Sequence, residues 1–521
     1  MSIDELSRSA PDAVDVHNPA TGTLVGTVPV KSAEAVTAVV EDLRAHQPSW
    51  ETLGPRGRAV WLRKLRDWLL DNESRLVDVL QAETGKPRPE AALEVLLACD
   101  VINYYTDHAV EFLAEEKVRP HGLMTASKSL TRVYRPYPVV GVITPWNFPL
   151  LISGMDAVPA LLTGAAVLVK PSEVTPLSAC ELARGWEQIG APPLLACVTG
   201  LGATGAAVVD TVDMVQFTGS TRTGRIIAAQ AGQRLIPCSV ELGGKDSAIV
   251  LADADLSRAA NGIAWGALVN SGQACISVER VYVVDVVYDR FVSLLTKRVA
   301  SLRQGVDDAA YSVDIGAMAT PQQVEIVRDH VQDAVTRGAT IVTGGNVAGG
   351  GAFFEPTVLI DVDHSMACMR EETFGPTIPV MKVADEDEAI RLANDSQYGL
   401  SATIWTKDRR RGAAMARRLE VGAVNINDVY SNLFCFALPH GGWKSSGLGA
   451  RLGGPAGMRK YCRQLAITAP RVSTMKSEPM WYPYSPRRSR TVAALLRLLV
   501  ARDLRRRLFR SAHNNRNGVS P

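Results

Sequence analysis

The chain has 521 residues, of which 46% are apolar and 21% are charged. This length is more than one hydrophobic core ordinarily serves, so we expect at least two domains, and the composition excludes a disordered protein. No apolar run reaches the roughly 20 residues of a membrane-spanning helix. The formal net charge of +2 hides an asymmetry, because residues 487–521 carry +9 and the remainder carries −7.

The eight cysteines are scattered, and they form neither a CxxC pair nor a spacing typical of zinc ligands. This distribution argues against a disulfide framework and against a metal site, and it predicts a reducing, cytoplasmic environment. The first six residues, Met1–Leu6, are acidic and polar rather than basic and apolar. We therefore expect no secretion signal.

The N-terminal part of the chain is predicted to be mainly helical. Residues 1–16 are interpreted as a loose arm, and Asn18–Gly22 as a turn between two short strands. Residues 32–116 repeat apolar side chains at helical spacing, and we expect Ser32 to cap the first helix. Residues 118–138 lack this spacing.

From residue 139 onward, short apolar runs alternate with helical patterns. Strands alternating with helices favour parallel sheets that are covered on both faces, and therefore an α/β fold. The predicted strands are 139–144, 165–170, 194–198, 214–217, 247–252, 280–285, 340–343 and 401–406.

Two reactive side chains lie between residues 240 and 275. Glu241 opens the run Glu-Leu-Gly-Gly-Lys, and Cys275 ends the run Gly-Gln-Ala-Cys. Cysteine is a strong nucleophile as a thiolate, and a glutamate can be the general base for a thiol or for a water. Alone, Cys275 is typical of a buried small hydrophobe and Glu241 of a helix cap. Together, among glycines that permit close backbone approach, they favour a catalytic pair.

Four further motifs accompany this pair in the sequence. They are Thr144–Pro149, Lys170–Glu173, Phe217–Ser220 with Gly224, and Glu371–Pro376. With all six motifs in this order, the chain resembles the NAD(P)-dependent aldehyde dehydrogenase superfamily from about residue 17 to about residue 470. It looks most like the bacterial subgroup labelled succinate-semialdehyde dehydrogenase-like.

The resemblance implies an aldehyde dehydrogenase-like α/β fold, with a Rossmann-like cofactor domain, an α/β catalytic domain and a small oligomerisation hairpin. It also implies a homodimer or homotetramer. The expected segments are a dinucleotide-binding domain at 1–243 with 440–461 returning to it, a hairpin at 118–138, a catalytic domain at 244–439, an oligomerisation strand at 462–475, and a basic amphipathic tail at 476–521.

The implied reaction converts an aldehyde, NAD(P)+ and water to a carboxylate and NAD(P)H. In this interpretation Cys275 attacks the aldehyde carbon, and the Asn147 amide and the Cys275 backbone N–H stabilise the oxyanion. Glu241 then activates the water that hydrolyses the thioester. The competing interpretation is a non-catalytic binding or scaffold protein on the same fold, which the presence of all three residues argues against.

The cofactor is expected at the end of the predicted strand 214–217, where a helix starts at about Thr221. Helix N-termini present free N–H groups and a partial positive charge, which suit a pyrophosphate. By the resemblance, the cofactor-binding residues are Thr144, Trp146, Lys170, Ser172, Glu173, Gly219, Ser220, Gly224, Leu242, Glu372 and Phe374.

The choice between NAD and NADP depends on the adenosine ribose. Lys170 and Glu173 match positions that line this ribose, and the Glu173 carboxylate would repel a 2′-phosphate. Lys170 and Ser172 still offer groups that accept one. We therefore expect either cofactor to bind, with NAD slightly preferred.

The substrate is an aldehyde whose identity the sequence restricts only partly. Succinate-semialdehyde enzymes carry two arginines for the distal carboxylate, and this chain has Met155 and Val269 at those positions. A buried carboxylate without a cationic partner is costly. A more apolar aldehyde is thus expected, with succinate semialdehyde as the alternative, and Ser277 and residues 430–436 are further candidates for the pocket wall.

Residues 487–510 read as a basic amphipathic helix. One face would hold Leu496, Leu499, Val500, Leu504 and Leu508. Such a helix suits an anionic membrane surface, but we expect it to dock on the acidic surface of a neighbouring subunit instead. The tail has few aromatic residues and no recognised nucleic-acid-binding fold, so no nucleic-acid partner is expected.

Overall fold

The computed structural model describes residues 11–308, 310–471, 478 and 480–503. These residues form two compact units, one comprising Met1–Leu113 with Pro136–Arg463 and the other comprising Ala114–Arg135 with Gln464–Pro521. Within the described residues, no helix is long and apolar enough to cross a membrane.

The elements are labelled in chain order. The strands are β1 Ala13–His17, β2 Leu24–Pro29, β3 Glu116–Val118, β4 Lys128–Pro136, β5 Val139–Ile143, β6 Ala166–Lys170, β7 Leu195–Cys197, β8 Met214–Thr218, β9 Cys238–Glu241, β10 Asp246–Val250, β11 Val278–Val284, β12 Thr340–Thr343, β13 Val347–Ala348, β14 Phe353–Phe354, β15 Thr357–Ile360, β16 Thr377–Val383, β17 Tyr398–Gly399, β18 Ser401–Trp405, β19 Ala423–Ile426, β20 Pro439–His440, β21 Trp443–Lys444, β22 Gly447–Leu448, β23 Arg451–Leu452 and β24 Cys462–Pro470. The helices are α1 Ala33–Thr52, α2 Gly54–Asp71, α3 Glu73–Thr84, α4 Arg88–Phe112, α5 Leu123–Ala126, α6 Pro149–Thr163, α7 Leu177–Gln188, α8 Gly202–Thr211, α9 Thr221–Gln233, α10 Leu256–Leu268, α11 Asp285–Ala300, α12 Pro321–Thr336, α13 Ala367–Arg370, α14 Glu386–Asn394, α15 Arg409–Ala416, α16 Ser431–Phe434, α17 Pro455–Arg459 and α18 Pro486–Val500.

The N-terminal region follows its sequence signals closely. The side chain of Ser32 accepts a hydrogen bond from Ala35 N at 3.3 Å and caps α1, as predicted. The turn at Asn18–Gly22 joins β1 to β2, which pair antiparallel. The loose arm predicted for residues 1–16 is wrong at its end, because residues 13–16 belong to β1. Residues 1–10 of that arm lie outside the described residues.

A six-stranded sheet in the first unit has the order β22-β9-β8-β5-β6-β7. All neighbouring pairs are parallel except β22 with β9. The strands end in register, since Ile143 pairs with both Lys170 and Phe217 and Thr218 pairs with Glu241. The segments that follow β5, β6, β8 and β9 therefore meet at one edge of the sheet.

A seven-stranded sheet in the same unit has the order β12-β15-β16-β11-β10-β18-β19. Its pairs are parallel apart from β12 with β15. Alternate side chains of β11 enter two separate cores, with Val281 and Val283 on one face and Tyr282 and Val284 on the other. Burial on both faces explains why these strands read as continuous apolar runs, and it confirms the α/β prediction.

The second unit contains a three-stranded sheet with the order β24-β4-β3. The predicted hairpin at 118–138 is present as β3 and β4 with the short helix α5 between them. Strand β24 is buried only at Cys462, and residues 463–470 are exposed. Pairing of this strand between subunits stays a prediction.

The tail helix is shorter than its sequence pattern indicated. Helix α18 ends at Val500, where Ala501 adopts an extended conformation, so the helix predicted for residues 487–510 does not continue through 501–503. Leu504 and Leu508, which were expected on its apolar face, lie outside the described residues.

Candidate active site

Cys275 follows a backbone turn of unusual conformation. Helix α10 ends at Leu268, and a 3₁₀ turn spans Val269–Gly272. Asn270, Ser271 and Gly272 have φ values of 54°, 56° and 74°, all in the left-handed region. A Cβ atom at Gly272 would collide with the Gly375 carbonyl group, so this position requires glycine on both conformational and steric grounds.

Long-range hydrogen bonds hold this turn in place. The backbone N–H of Asn270 donates to the Glu90 carboxylate at 3.0 Å, and its Nδ2 donates to the Asn147 carbonyl oxygen at 3.0 Å. Asn147 makes a second hydrogen bond to this segment, because its own Nδ2 donates to the Gln273 carbonyl oxygen at 2.9 Å. Asn147 is thereby fixed beside the loop that carries Cys275.

The glycines of the Glu-Leu-Gly-Gly-Lys run allow three segments to converge. A Cβ at Gly244 would meet the Cys275 carbonyl oxygen, and a Cβ at Gly243 would meet the Glu372 carboxylate. The Gly244 N–H also donates to Glu372 Oε1 at 2.8 Å. These two positions bring the cysteine loop and the loop of Glu372 against the end of β9.

Two cavities meet at Cys275. The first, called the apolar cavity, encloses about 700 Å³ of empty space including its open mouth. Its wall is formed mainly by apolar and aromatic side chains, namely Leu93, Leu97, Phe148, Leu151, Ile152, Met155, Trp265, Val269, Ile276, Tyr430, Leu433 and Phe434. Ser277 is not part of this wall, because its hydroxyl donates to the Ala267 carbonyl oxygen at 3.2 Å.

The second, called the loop cavity, encloses about 840 Å³ of empty space including its open mouth. Eight of the residues singled out in the sequence line it together, namely Trp146, Asn147, Gly219, Ser220, Leu242, Cys275, Glu372 and Phe374. The rings of Trp146 and Phe374 meet edge to face with centroids 5.4 Å apart.

Five predicted cofactor residues lie outside this wall. Thr144 is buried and its Oγ1 lies 3.2 Å from Ser153 Oγ, and Gly224 gives space to the Leu242 side chain. Lys170, Ser172 and Glu173 follow or end β6 at the same sheet edge, with Lys170 Nζ 3.5 Å from Glu173 Oε2.

Comparison with known proteins identifies the family of this chain. The model of the aldehyde dehydrogenase family matches residues 6–467. The chain belongs to this family. It is an NAD(P)-dependent aldehyde dehydrogenase, and nothing supports the alternative of a non-catalytic scaffold.

The relatives of this aldehyde dehydrogenase include several kinds of enzyme. A protein of Mycolicibacterium smegmatis named as a putative succinate-semialdehyde dehydrogenase of the NADP(+) type is 40% identical over 457 residues, covering 87% of this chain and 88% of that protein. A 4,4′-diapolycopene aldehyde oxidase of Methylomonas is 39% identical over 473 residues, covering 90% and 88%. The solved structure of the putative aldehyde dehydrogenase PutA from Anabaena variabilis has a TM-score of 0.85 and 37% identity, covering 90% and 100%.

The residues of the loop cavity fit a dinucleotide. Helix α9 starts at Thr221, and Ser220 caps it by accepting a hydrogen bond from Thr223 N at 3.3 Å. Ser220 lines the loop cavity, and because a helix N-terminus carries free N–H groups and a partial positive charge, a phosphate group would be favourable there. Gly219 leaves the backbone accessible at this point, since a Cβ there would collide with Phe217.

A buried ion pair fixes the loop that carries Glu372 and Phe374. Lys245 Nζ lies 2.6 Å from Glu279 Oε2. Glu279 also accepts hydrogen bonds from Thr373 N at 2.8 Å and Phe374 N at 2.9 Å. Lys245, the lysine of the Glu-Leu-Gly-Gly-Lys run, therefore holds the loop of Glu372 and Phe374 in place through the Glu279 carboxylate.

The two reactive groups have strongly altered acidities. Burial raises the pKa of Glu241 to about 8, and neither carboxylate oxygen accepts a hydrogen bond of ordinary geometry from a described residue. Burial also raises the pKa of the Cys275 thiol to about 12, while the positive charge of Arg451 lowers it. Glu241 is not among the residues that line either cavity.

Sequence reasoning missed a second buried ion pair beside these groups. Arg451 donates to both carboxylate oxygens of Asp156, at 2.9 and 2.6 Å, and also to Thr218 Oγ1. Thr218 pairs directly with Glu241 across the sheet. Asp156 and Arg451 are 295 positions apart in the sequence, and neither belongs to a recognisable motif, so no local signal identifies them.

Proposed function

We propose that this aldehyde dehydrogenase oxidises a medium-sized apolar or aromatic aldehyde to its carboxylate, with NAD+ modestly preferred over NADP+. The observation that carries the proposal is the position of Cys275, which lines both the apolar cavity and the loop cavity. A substrate in the first and a dinucleotide in the second would meet at its sulfur.

In the proposed mechanism, the Cys275 thiol gives its proton to a water molecule in the cavity, and Sγ attacks the aldehyde carbon to form a thiohemiacetal. Asn147 Nδ2 retains a second hydrogen beyond the one given to Gln273, and this hydrogen and the Cys275 N–H stabilise the oxyanion. The bound cofactor supplies the oxidant, a nicotinamide ring that accepts a hydride. Trp146, Glu372 and Phe374 are the residues that would hold this end of it.

Glu241 is proposed to activate the water that hydrolyses the thioester on Cys275. Neither oxygen of this buried carboxylate accepts a hydrogen bond of ordinary geometry from a described residue, so the carboxylate is a suitable acceptor for a water molecule. Its pKa of about 8 places its basicity close to neutral pH, where a general base is most effective.

The charge of the apolar cavity supports an uncharged substrate. Met155 and Val269 line it, as expected, in place of carboxylate-binding arginines. Arg451 is the one arginine in this wall, and Asp156 already pairs with it. The His440 side chain is also in the wall, but burial lowers its pKa to about 3, so it is neutral.

The relatives point in two directions on substrate. Those named for succinate semialdehyde support that compound as the alternative. The relative named for a diapolycopene aldehyde acts, by its name, on the aldehyde of a long hydrocarbon, which agrees with the character of the apolar cavity. We favour the apolar aldehyde because a distal carboxylate would be buried there without a cation.

The modest preference for NAD+ rests on Glu173. Its side chain is 44% exposed at the edge where the adenosine ribose is expected, and its carboxylate would repel a 2′-phosphate. Lys170 lies 3.5 Å from this carboxylate and offsets part of its charge. Several relatives are named as NADP(+)-dependent, which is why the preference is proposed to be small.

The remaining assignments complete the proposal. The cofactor domain comprises 1–243 with 440–461, and the catalytic domain comprises 244–439. The hairpin at 118–138 and the strand at 462–475 join subunits into a homodimer or homotetramer in the cytoplasm. The exposed strand β24 supports this role, because an unpaired edge is usually covered by another chain.

A panel of aldehydes tested with both cofactors checks the proposal. The highest kcat/KM is expected for an apolar or aromatic aldehyde with NAD+, and a value at least about tenfold lower for succinate semialdehyde, since a charged hydrogen bond contributes roughly 1.5–3 kcal/mol. A kcat/KM that is highest for succinate semialdehyde would refute the substrate assignment and leave the family assignment intact.

A further inference from the structure

The C-terminal part of the second unit has an amphipathic surface that the proposed reaction does not use. On α18, apolar residues recur at the spacing of one helix face, at Val492, Leu495, Leu496 and Leu499. Three of the four arginines of α18, Arg487, Arg490 and Arg497, lie on the opposite side, and Arg488 lies on the apolar face in the first turn. The helix contains no acidic residue and buries no side chain within the described residues.

Exposed aromatic side chains directly precede this helix. Trp481, Tyr482 and Tyr484 are 58%, 77% and 67% exposed, and Met480 beside them is 49% exposed. Tryptophan and tyrosine combine an apolar ring with a polar group, and they concentrate where hydrocarbon meets water. Three such residues within four positions are uncommon on a surface that contacts only solvent.

We propose that residues 480–503 bind the surface of an anionic lipid bilayer, with α18 lying in the plane of the headgroups. The basic residues supply the attraction, because residues 487–521 carry +9. The apolar face and the aromatic side chains supply the insertion. At 15 residues, α18 is too short to span a bilayer.

A sister subunit, which charge alone favoured, is a poorer match to this surface. Arginine, tryptophan and tyrosine also occur at protein interfaces, but an apolar helix face opposite arginines, preceded by exposed aromatic side chains, is the pattern of a helix that lies in a headgroup layer. The aromatic residues at 481–484 extend the same surface and have no role in attraction to acidic groups.

Binding to a bilayer would also bring the enzyme close to its substrate, and this link rests on the proposed function, the oxidation of an apolar aldehyde. An apolar aldehyde partitions into a bilayer, so an enzyme held at the bilayer surface meets it at a higher local concentration. A small water-soluble aldehyde gains nothing from such attachment.

Co-sedimentation of the full-length protein with vesicles tests the binding without any turnover. The protein is expected to sediment with phosphatidylglycerol vesicles but not with phosphatidylcholine vesicles, and to be released at about 1 M salt, where the Debye length is ~3 Å. Two double variants, Leu495→Ser with Leu499→Ser and Arg487→Gln with Arg490→Gln, should each reduce the bound fraction at least about fivefold. Arg409→Gln with Arg410→Gln removes the same charge from exposed positions of the first unit and should not.

Two further measurements separate the bilayer from a sister subunit. Vesicles should shift the tryptophan fluorescence of the parent protein to the blue. The chain has nine tryptophans, but Trp481 is the one expected to enter the bilayer, so Trp481→Phe should remove most of that shift. Ultracentrifugation should show the same oligomer for the parent and both tail variants. Absence of vesicle binding, or a smaller oligomer in the tail variants, would overturn the proposal.

Activity then tests the link to substrate. With an apolar aldehyde supplied in phosphatidylglycerol vesicles, the tail variants should lose most of the rate, and with a short water-soluble aldehyde they should match the parent. Vesicle binding with equal loss on both aldehydes would reject the link to substrate while leaving membrane binding established.

Discussion

The two cavities that meet at Cys275 are built by different parts of the chain. The apolar cavity is walled mostly by side chains of helices, such as Leu93 on α4 and Trp265 on α10. The loop cavity is walled largely by segments that follow strands, where Gly219 and Gly243 expose backbone. Substitutions in the apolar cavity can alter its wall one side chain at a time. The loop cavity instead depends on exposed backbone, and Gly219 and Gly243 leave no space for a Cβ.

The largest effect is expected at the junction itself. Replacing Cys275 by alanine (Cys275→Ala) removes the proposed nucleophile at the junction of the two cavities, so kcat should fall on the order of 10⁴-fold or more. Steady-state NADH formation measures this loss, and binding of NAD+ should persist. The exposed Cys435→Ala is the matched control and should retain parental activity.

Glu241→Gln should separate the two halves of the reaction. One equivalent of NADH should appear in a burst, followed by slow turnover, because acylation of Cys275 continues while hydrolysis lacks its base. In the parent, burial raises the pKa of Glu241 to about 8, so below pH 8 the carboxyl is mainly protonated and cannot accept a proton. The hydrolysis rate should therefore rise as the pH increases through about 8 and level off above it.

The rapid-quench amplitude and the pH profile check this assignment. Glu325→Gln, at an exposed position of α12, is the control and should keep the parental profile. Normal turnover and an unchanged pH profile in Glu241→Gln would show that another group activates the water.

A positive charge in the apolar cavity should change which aldehyde is preferred. Val269→Arg places a guanidinium in the wall next to the cysteine loop, and it should raise the ratio of kcat/KM for succinate semialdehyde over an apolar aldehyde by about tenfold or more. Val269→Met, of similar length without charge, should leave the ratio near that of the parent. An equal effect of both substitutions would mean that packing rather than charge determines the preference.

The smallest effect is expected at the ribose end of the loop cavity. Glu173→Gln removes the repulsion of a 2′-phosphate and should shift the preference toward NADP+ by about two- to fivefold, because interactions of exposed charges amount to ~0.2–1 kcal/mol. Glu187→Gln on α7 removes an equal charge at an exposed site and serves as the comparison. The ratio of kcat/KM for the two cofactors provides the readout, and an unshifted ratio would place the Glu173 carboxylate away from the ribose.

The sequence predicted the two cavities unequally for a physical reason. Residues of the loop cavity sit at the ends of buried strands, and parallel strands that end in register bring them to one edge. Local patterns thus sufficed for Asn147, Gly219 and Leu242, which follow β5, β8 and β9. The Asp156–Arg451 pair escaped prediction because it joins residues 295 positions apart, and a single buried arginine has no distinguishing sequence context.

The sequence also failed to predict the pKa of Glu241 and the C-terminal end of α18. The motif predicted that Glu241 is a base, but its pKa of about 8 follows from burial, which only three-dimensional packing reveals. The end of α18 at Val500 was likewise missed, because the apolar repeat continues in the sequence beyond the point where the backbone becomes extended.

The left-handed turn before Cys275 also has a consequence for the order of folding. Its stabilising hydrogen bonds reach Glu90 and Asn147, which are 180 and 123 positions away from Asn270. Contacts of such long sequence separation form late, since the intervening chain must first be ordered. The left-handed turn before Cys275 should therefore form only after α4 and both sheets have assembled. In a refolding experiment, dehydrogenase activity should return later than the protection of Cys99, buried in α4, from a thiol-alkylating reagent.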